Sequence, residues 1–334
     1  MKFNIKTISE LTGFSPATVS NALNGKRGVS RATAERILAV AREHGYQSTN
    51  KVDSIKLVIY KKNGIVVADT PFFSELIQGV EEEGRSAGYT TAVCNLDQRS
   101  PSFSEVRAQL LSDPSSAILL LATEMEEADI APFAQAAAPV VLLDSWAEET
   151  VLDAVLISNT DSVYRAVKYL LEKGHRKIGY LKGSIRIKNF FYREMGYRRA
   201  LRGAGLDAGP AYTFSLTPTM EGAYDDMRRM LAGRPELPTA FFADNDIIAL
   251  GAMRALWEHG CKIPEDISVV GFDDLPFSAI SYPALTTIRV PKREMGRVAV
   301  RRLAELIKRG EDVKTKTQVC NTFIERASVR DLNA

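Results

Sequence analysis

Two sets of residues in this chain have types and spacing suited to chemistry. Asp144, Asn159, Asn245 with Asp246, and Asp273 with Asp274 each follow a short apolar, β-branched run. In open α/β sheets, ligands sit beyond the carboxyl ends of the strands. These carboxylates and amides are therefore candidate hydrogen-bonding partners for a hydroxyl-rich ligand between two facing lobes. Phe72-Phe73, opening a helical stretch, can stack on a sugar ring. Each has an ordinary alternative: Asp and Asn cap helices that follow strands, Asp246 in particular, and Phe72 or Phe73 can be core.

The second set lies near the N-terminus. Ser15 and Pro16 form a helix start, N-cap followed by first position. The free N–H groups of that helix and the hydroxyls of Ser15 and Thr18 suit phosphates. Pro16, Ala17 and Asn21 fall on its outward face, where the apolar pair can meet thymine methyls and Asn21 can pair with adenine. Lys26, Arg27 and Arg31 suit flanking phosphates of double-stranded DNA. A plain three-helix protein-interaction module is the competing reading.

The elements that must position these groups follow from caps and periodicity. Asn4 caps a helix over 5–12 closed by Gly13, a second helix spans 16–23, and Ser30 caps a third that ends at His44-Gly45. Val19, Ala22 and Leu23 share one face with Ala34, Ile37, Leu38 and Ala41, a helix-turn-helix with Gly13 in the turn. From Ile55 onward, runs such as 55–60, 117–122, 140–143, 177–181 and 239–243 alternate with helical stretches such as 73–87, 161–173, 190–203 and 246–259. That order predicts parallel sheets covered by helices. Eight to ten such strands predict two doubly wound lobes rather than one sheet.

Composition agrees with two different jobs. Residues 1–62 hold eleven Lys and Arg against four Asp and Glu, a net +7, on a chain whose total is +2. A basic segment on a mildly acidic body predicts a polyanion partner for the first part. No run of about 18 apolar residues exists, and the start carries no secretion signal, so a cytoplasmic protein with no membrane partner is expected. Cys94, Cys261 and Cys320 are odd in number and widely spaced, which predicts free thiols and no metal site.

The stretches "TVSNALNG", "VSRATAERI" and "GY" resemble the DNA-binding headpiece of the LacI family of bacterial transcription regulators. "FFSELIQGVEEEGRSAGY", "KGHRKIGYL", "REMGYRRAL", "ADNDIIALGAMRAL" and "DISVVGFDD" stand in the order of that family's effector core, which is similar to type I periplasmic sugar-binding proteins. The resemblance covers nearly the whole chain. It implies a headpiece over 1–46, a linker over 47–54, and a core over 55–330. Within the core it implies one lobe over 55–157 and 289–316, and another over 158–288 and 317–330, with crossings near 158, 289 and 317. It adds Arg193, three residues before Gly196, as a ligand contact. It further implies a homodimer on a near-palindromic operator, released or tuned by a small carbohydrate, with no cofactor and no enzymatic activity. Two alternatives stay open: a purine or phosphorylated corepressor partner, and a sugar-binding receptor.

One departure stands out. Members of the family carry a hinge helix with a Leu wedge after the headpiece, whereas here "QSTNKVDS" leads directly into the first strand. An extended linker without a minor-groove kink is expected, with Val52 its only apolar side chain. The motif "GAGLDA" at 203–208 fits a dinucleotide fingerprint, but it follows a helix and precedes a strand, the reverse of what that fingerprint needs.

Overall fold

The computed structural model describes residues 4–23, 28–43, 52–67, 71–207, 209–309 and 313–334. The headpiece consists of α1 (Ile5–Thr12), α2 (Pro16–Leu23) and α3 (Arg31–Glu43). Asn4 accepts the Thr7 N–H at 3.0 Å, and Gly13 closes α1 with φ 76°, a left-handed geometry natural to glycine. Ser15 and Ser30 cap α2 and α3 through the amides of Thr18 and Thr33. Ile8, Val19, Ala22, Leu23, Ile37 and Ala41 form a separate small core.

The rest of the chain builds two parallel sheets. The first is assembled from β1 (Ser54–Lys61), α4 (Pro71–Ser86), β2 (Thr90–Asp97), α5 (Phe103–Ser112), β3 (Ser116–Leu121), α6 (Glu127–Ile130), β4 (Val140–Leu143) and β5 (Asp153–Ile157). The chain then enters the second through α7 (Asn159–Glu172), β6 (Ile178–Gly183), α8 (Lys188–Gly203) and β7 (Thr213–Leu216). It continues with α9 (Met220–Ala232), β8 (Ala240–Ala243), α10 (Asp246–Glu258), β9 (Ser268–Val270), α11 (Pro276–Ile280) and β10 (Thr287–Arg289). It returns to the first through α12 (Lys292–Arg309) and β11 (Lys316–Val319), and leaves again at β12 (Thr322–Ile324).

Strand order is β11-β5-β4-β3-β1-β2 in one sheet and β7-β6-β8-β9 in the other, with β10 and β12 pairing antiparallel beside the second. Both orders reverse at a switch point, between β1 and β3 and between β6 and β8, which opens a crevice at the carboxyl ends. Because Thr317, Gln318 and Val319 pair with Val155, Leu156 and Ile157, the boundary expected at 317 is corrected: these residues belong to the first lobe. Ser54 likewise belongs to β1, paired with Thr90 and Ser116, rather than to the linker. Residues 331–333 extend the second lobe past 330, with Leu332 N–H donating to Lys173 O at 2.8 Å.

Helix packing against the sheets is close. A Cβ on Gly196 would lie 2.4 Å from the Thr160 carbonyl oxygen, so the missing side chain lets α8 approach α7. Of the linker, 47–51 lies outside the described residues, whereas Val52 packs against the main core rather than projecting as a wedge.

Candidate functional site

The sequence around each strand end explains the site. Asp144 after β4 has φ 63°, and Asp273 and Asp274 after β9 have φ 112° and 49°. Non-glycine residues in the left-handed region are costly and concentrate where a side chain must be aimed. Here the turns direct Asp144 of one lobe and Asp273 of the other into one cavity of about 190 Å³. Phe72, Phe73, Arg193 and Asn245 line it as well.

Arg193, on α8, is fixed on several sides. Its Nε donates to Asn159 Oδ1 at 2.9 Å and its Nη1 to the Asp244 carbonyl at 2.6 Å. The guanidinium lies 3.6 Å from the centre of the Phe272 ring, and Nη2 lies 3.6 Å from Asp273 Oδ1. Among the described residues, neither Asp273 Oδ1 nor Asp144 Oδ1 has a hydrogen-bond partner, although Asp144 Oδ2 accepts from Thr123 Oγ1 at 2.8 Å. Burial pushes the Asp273 carboxyl up to about 7, against the pull of Arg193 and Lys292. Burial also raises Asp144, against its Thr123 hydrogen bond and Arg193. Each lobe thus brings one buried carboxylate oxygen without a donor among the described residues to the cavity.

Two expected contacts stand back from the cavity. Asn159 does not line it; its amide donates to Asn189 Oδ1 at 2.9 Å while its oxygen holds Arg193, so it positions rather than faces. Asp246 is corrected more sharply, because it is neither a lining residue nor the helix cap. Its oxygens accept from Leu275 N, Ser278 Oγ and Thr287 Oγ1 at 2.9, 2.6 and 2.5 Å, which pins the loop after β9. Asn245 is the cap, accepting Ile248 N–H at 3.0 Å, and it still borders the cavity. Phe72 and Phe73 are both buried, pack edge to face at 5.1 Å, and belong to the core while forming cavity wall.

Sequence reasoning missed Glu124. Its Oε2 accepts Lys62, Asn63 and Gly64 N–H at 2.7, 3.1 and 3.3 Å. Its Oε1 accepts Val66 and Val67 N–H at 3.0 and 2.8 Å. One carboxylate therefore shapes the loop after β1 that lays Ile65 and Val66 on the cavity. Only its place just after β3 marks it in the sequence. Asn189 was also missed: its Nδ2 bridges the lobes by donating to the Asp144 carbonyl at 3.1 Å.

In the headpiece, Ser15, Pro16 and Ala17 are exposed at the start of α2, and Asn21 is partly exposed one turn further on. The Ser15 and Thr18 hydroxyls already share a 2.8 Å hydrogen bond, leaving one proton between them for a phosphate. Lys26 and Arg27 lie outside the described residues, as does the side chain of Arg31, whose backbone opens α3.

Comparison with known proteins decides the family. Residues 4–49 match bacterial regulatory proteins of the lacI family, and residues 167–329 match a periplasmic binding protein-like domain. The HTH-type transcriptional repressor PurR of Haemophilus influenzae strain PittEE is 31% identical over 334 residues, covering 98% of this chain and 99% of the relative. The chain belongs to the LacI family. This LacI-family member is a DNA-binding transcription repressor with an effector-binding core, in a family of regulators rather than enzymes. A solved complex of the transcriptional regulator CelR with cellobiose superimposes with TM-score 0.75 at 26% identity, covering 98% of this chain and 99% of that one. The lac repressor dimer bound to operator and the anti-inducer ONPF shares the fold, with TM-score 0.70 at 24% identity over 99% of this chain and all of that one. Regulators of the LacI family bind operator DNA and small-molecule effectors and work as dimers. Among the described residues, no helix is long and apolar enough to cross a membrane.

Proposed function

We propose that this repressor controls carbohydrate-utilisation genes from the cytoplasm, as a homodimer on a near-palindromic operator, and that a small neutral sugar between its lobes sets its affinity for DNA. The observation that carries this reading is the pair of buried oxygens, Asp144 Oδ1 and Asp273 Oδ1, which have no hydrogen-bond partner among the described residues and border one cavity from opposite lobes. Sugar hydroxyls donate to carboxylates and accept from the Arg193 guanidinium, while Phe72 and Phe73 offer apolar wall to a ring. A phosphorylated ligand fits poorly, since its charge would meet two carboxylates with one arginine already engaged. In the headpiece, Pro16, Ala17 and Asn21 read bases, and Ser15, Thr18, Lys26, Arg27 and Arg31 hold phosphates.

A purine corepressor is the second reading, favoured by the PurR relatives and by the aromatic pair in the wall. Isothermal titration of the full chain with neutral monosaccharides and with hypoxanthine and guanine separates the two. Operator binding with and without the bound compound then distinguishes inducer from corepressor. Saturable purine binding with no sugar response would overturn the carbohydrate reading.

A further inference from the structure

Lys292 opens α12, where the chain crosses from the second lobe to the first, and it is only 2% exposed. Lysine is rarely so buried unless it is paired, because its ammonium gives up water at three donor sites. Here Nζ donates to the Asp274 carbonyl oxygen at 3.3 Å, and stands 3.5 Å from Glu75 Oε1 and 5.8 Å from the Phe72 ring centre. The Glu75 side chain is itself half exposed, so it offsets the burial of Lys292 only in part.

The carbonyl that Lys292 grips belongs to the other lobe, one residue from the cavity. Asp273 faces the cavity, while Asp274 turns its carboxylate away to Arg289 Nε and Arg326 Nη2, each at 2.6 Å. Asp273 N–H donates to Ile288 O at 2.8 Å, and Ile288 lies in β10, four residues before Lys292. The backbone from Ile288 to Lys292 and the Lys292 side chain therefore close a ring on the Asp273-Asp274 turn. On the first lobe, α12 and α4 pack too closely to slide. A Cβ on Gly296 would lie 2.6 Å from the Leu76 carbonyl oxygen, and one on Gly79 would overlap the Arg293 carbonyl. α4 in turn begins with Phe72 and Phe73 of the cavity wall.

We propose that Lys292 is a positioning residue for the effector response: its ammonium ties the Asp273-Asp274 turn of the second lobe to α12 and α4 of the first, so that an effector seated on Asp273 changes how the lobes meet. This rests on the reading that the effector occupies the inner cavity, and it holds for a sugar or a purine alike. A ligand shifts a conformational equilibrium only through contacts that differ between its states, and the Lys292–Asp274 bond is such a contact between lobes. The same ammonium acts on Asp273 through space. Arg193 and Lys292 favour the ionised carboxylate, whereas Asp246 and Asp144 oppose it.

The test compares the full-length wild type with Lys292→Met, Glu75→Gln and Asp273→Asn. Each is titrated with glucose, galactose, ribose, hypoxanthine and guanine from about pH 5.5 to 8.5, a range that spans the Asp273 titration. Operator affinity is then measured with and without a saturating amount of the compound that binds. In Lys292→Met the factor by which that compound changes operator affinity should shrink about fivefold or more. The pH midpoint of binding should rise by about one unit, because a cation beside Asp273 is gone. Glu75→Gln frees Lys292 from its competing carboxylate and should move the midpoint down. A merely structural Lys292 would lower the melting temperature and move neither the factor nor the midpoint. An unchanged factor and midpoint in Lys292→Met overturn the proposal; if that variant does not fold, an unmoved midpoint in Glu75→Gln overturns it. Wild-type affinity in Asp273→Asn would overturn instead the inner cavity as the effector site.

Discussion

Arg193 Nη2 and Asp273 Oδ1 stand 3.6 Å apart, an ion pair without a hydrogen bond, while Arg193 is fully held by Asn159, the Asp244 carbonyl and the Phe272 ring. A hydroxyl beside this pair, on the cavity side, can accept from Nη2 and donate to Oδ1. Arg193→Lys keeps the charge but loses the planar fork and its stacking. It should weaken effector binding by on the order of 2 kcal/mol, with ligand-free operator affinity unchanged. Calorimetry with the identified effector and a gel-shift assay check this; wild-type effector affinity would reduce Arg193 to a structural role.

The Asp273 carboxyl, raised to about 7 by burial and lowered in part by Arg193 and Lys292, ties effector binding to pH. For a carboxyl raised on folding, the stabilising contribution is complete below its unfolded value near 3.9 and is lost as pH rises through 7. The ligand-free core should therefore lose stability over that window, with Asp246, raised to about 6, adding the same sign. A donating hydroxyl favours the ionised carboxylate, so binding should release a proton and tighten as pH rises through about 7. Calorimetry in two buffers of different ionisation enthalpy measures the release, and Asp273→Asn should reduce it and flatten the pH profile. Proton uptake on binding would contradict the assignment.

Glu124→Gln tests the loop after β1. An amide places a donor against two or three backbone N–H groups that now share a carboxylate, leaving them unsatisfied. A loss of about 2–3 kcal/mol in core stability is expected, with weaker effector binding because Ile65 and Val66 lose their support. Hydrogen exchange should quicken at the amides of Lys62 to Val67 more than elsewhere. Uniform exchange would show that the loop is held by other contacts.

In the headpiece, Asn21→Ala should cost roughly 1–3 kcal/mol on operator and little on random DNA, since base readout is lost. Arg27→Ala should weaken both alike and reduce the salt slope by about one unit. Ser15→Ala should destabilise the headpiece itself by about 1 kcal/mol, because Ser15 Oγ caps α2. Equal losses on both DNAs for Asn21→Ala would mean that α2 docks differently.

Val52 rests on the core, so Val52→Ala should change operator affinity by less than about 1 kcal/mol and leave DNA bending at the operator centre slight. A circular-permutation assay showing a bend of tens of degrees that this substitution abolishes would sink the extended-linker reading.

The headpiece was legible in the sequence because its signals are local. Asn4, Gly13, Ser15 and Ser30 each act on amides or carbonyls within four residues, so these caps and the bounds they set follow from spacing alone, while the end expected for the third helix at His44-Gly45 lies outside the described residues. The parallel architecture was legible too, since buried strands such as 117–121 and 140–143 read as apolar runs. By contrast, β11 over Lys316–Val319 is largely exposed and β12 over Thr322–Ile324 is a short, half-buried strand; neither carries a long apolar run, and both gain their strand character from distant partners. At the site, sequence placed polar groups after the strands but could not tell which would face a ligand. Asn245 and Asp246 are neighbours, yet one borders the cavity while the other is consumed by Leu275, Ser278 and Thr287, residues 29 to 41 positions away. Glu124 finds its five N–H donors about sixty positions earlier in the chain, across the β1–β3 pairing. Local hydrogen bonding fixed the elements; the facing of side chains depended on which strands lay side by side, and that is decided by packing over the whole chain.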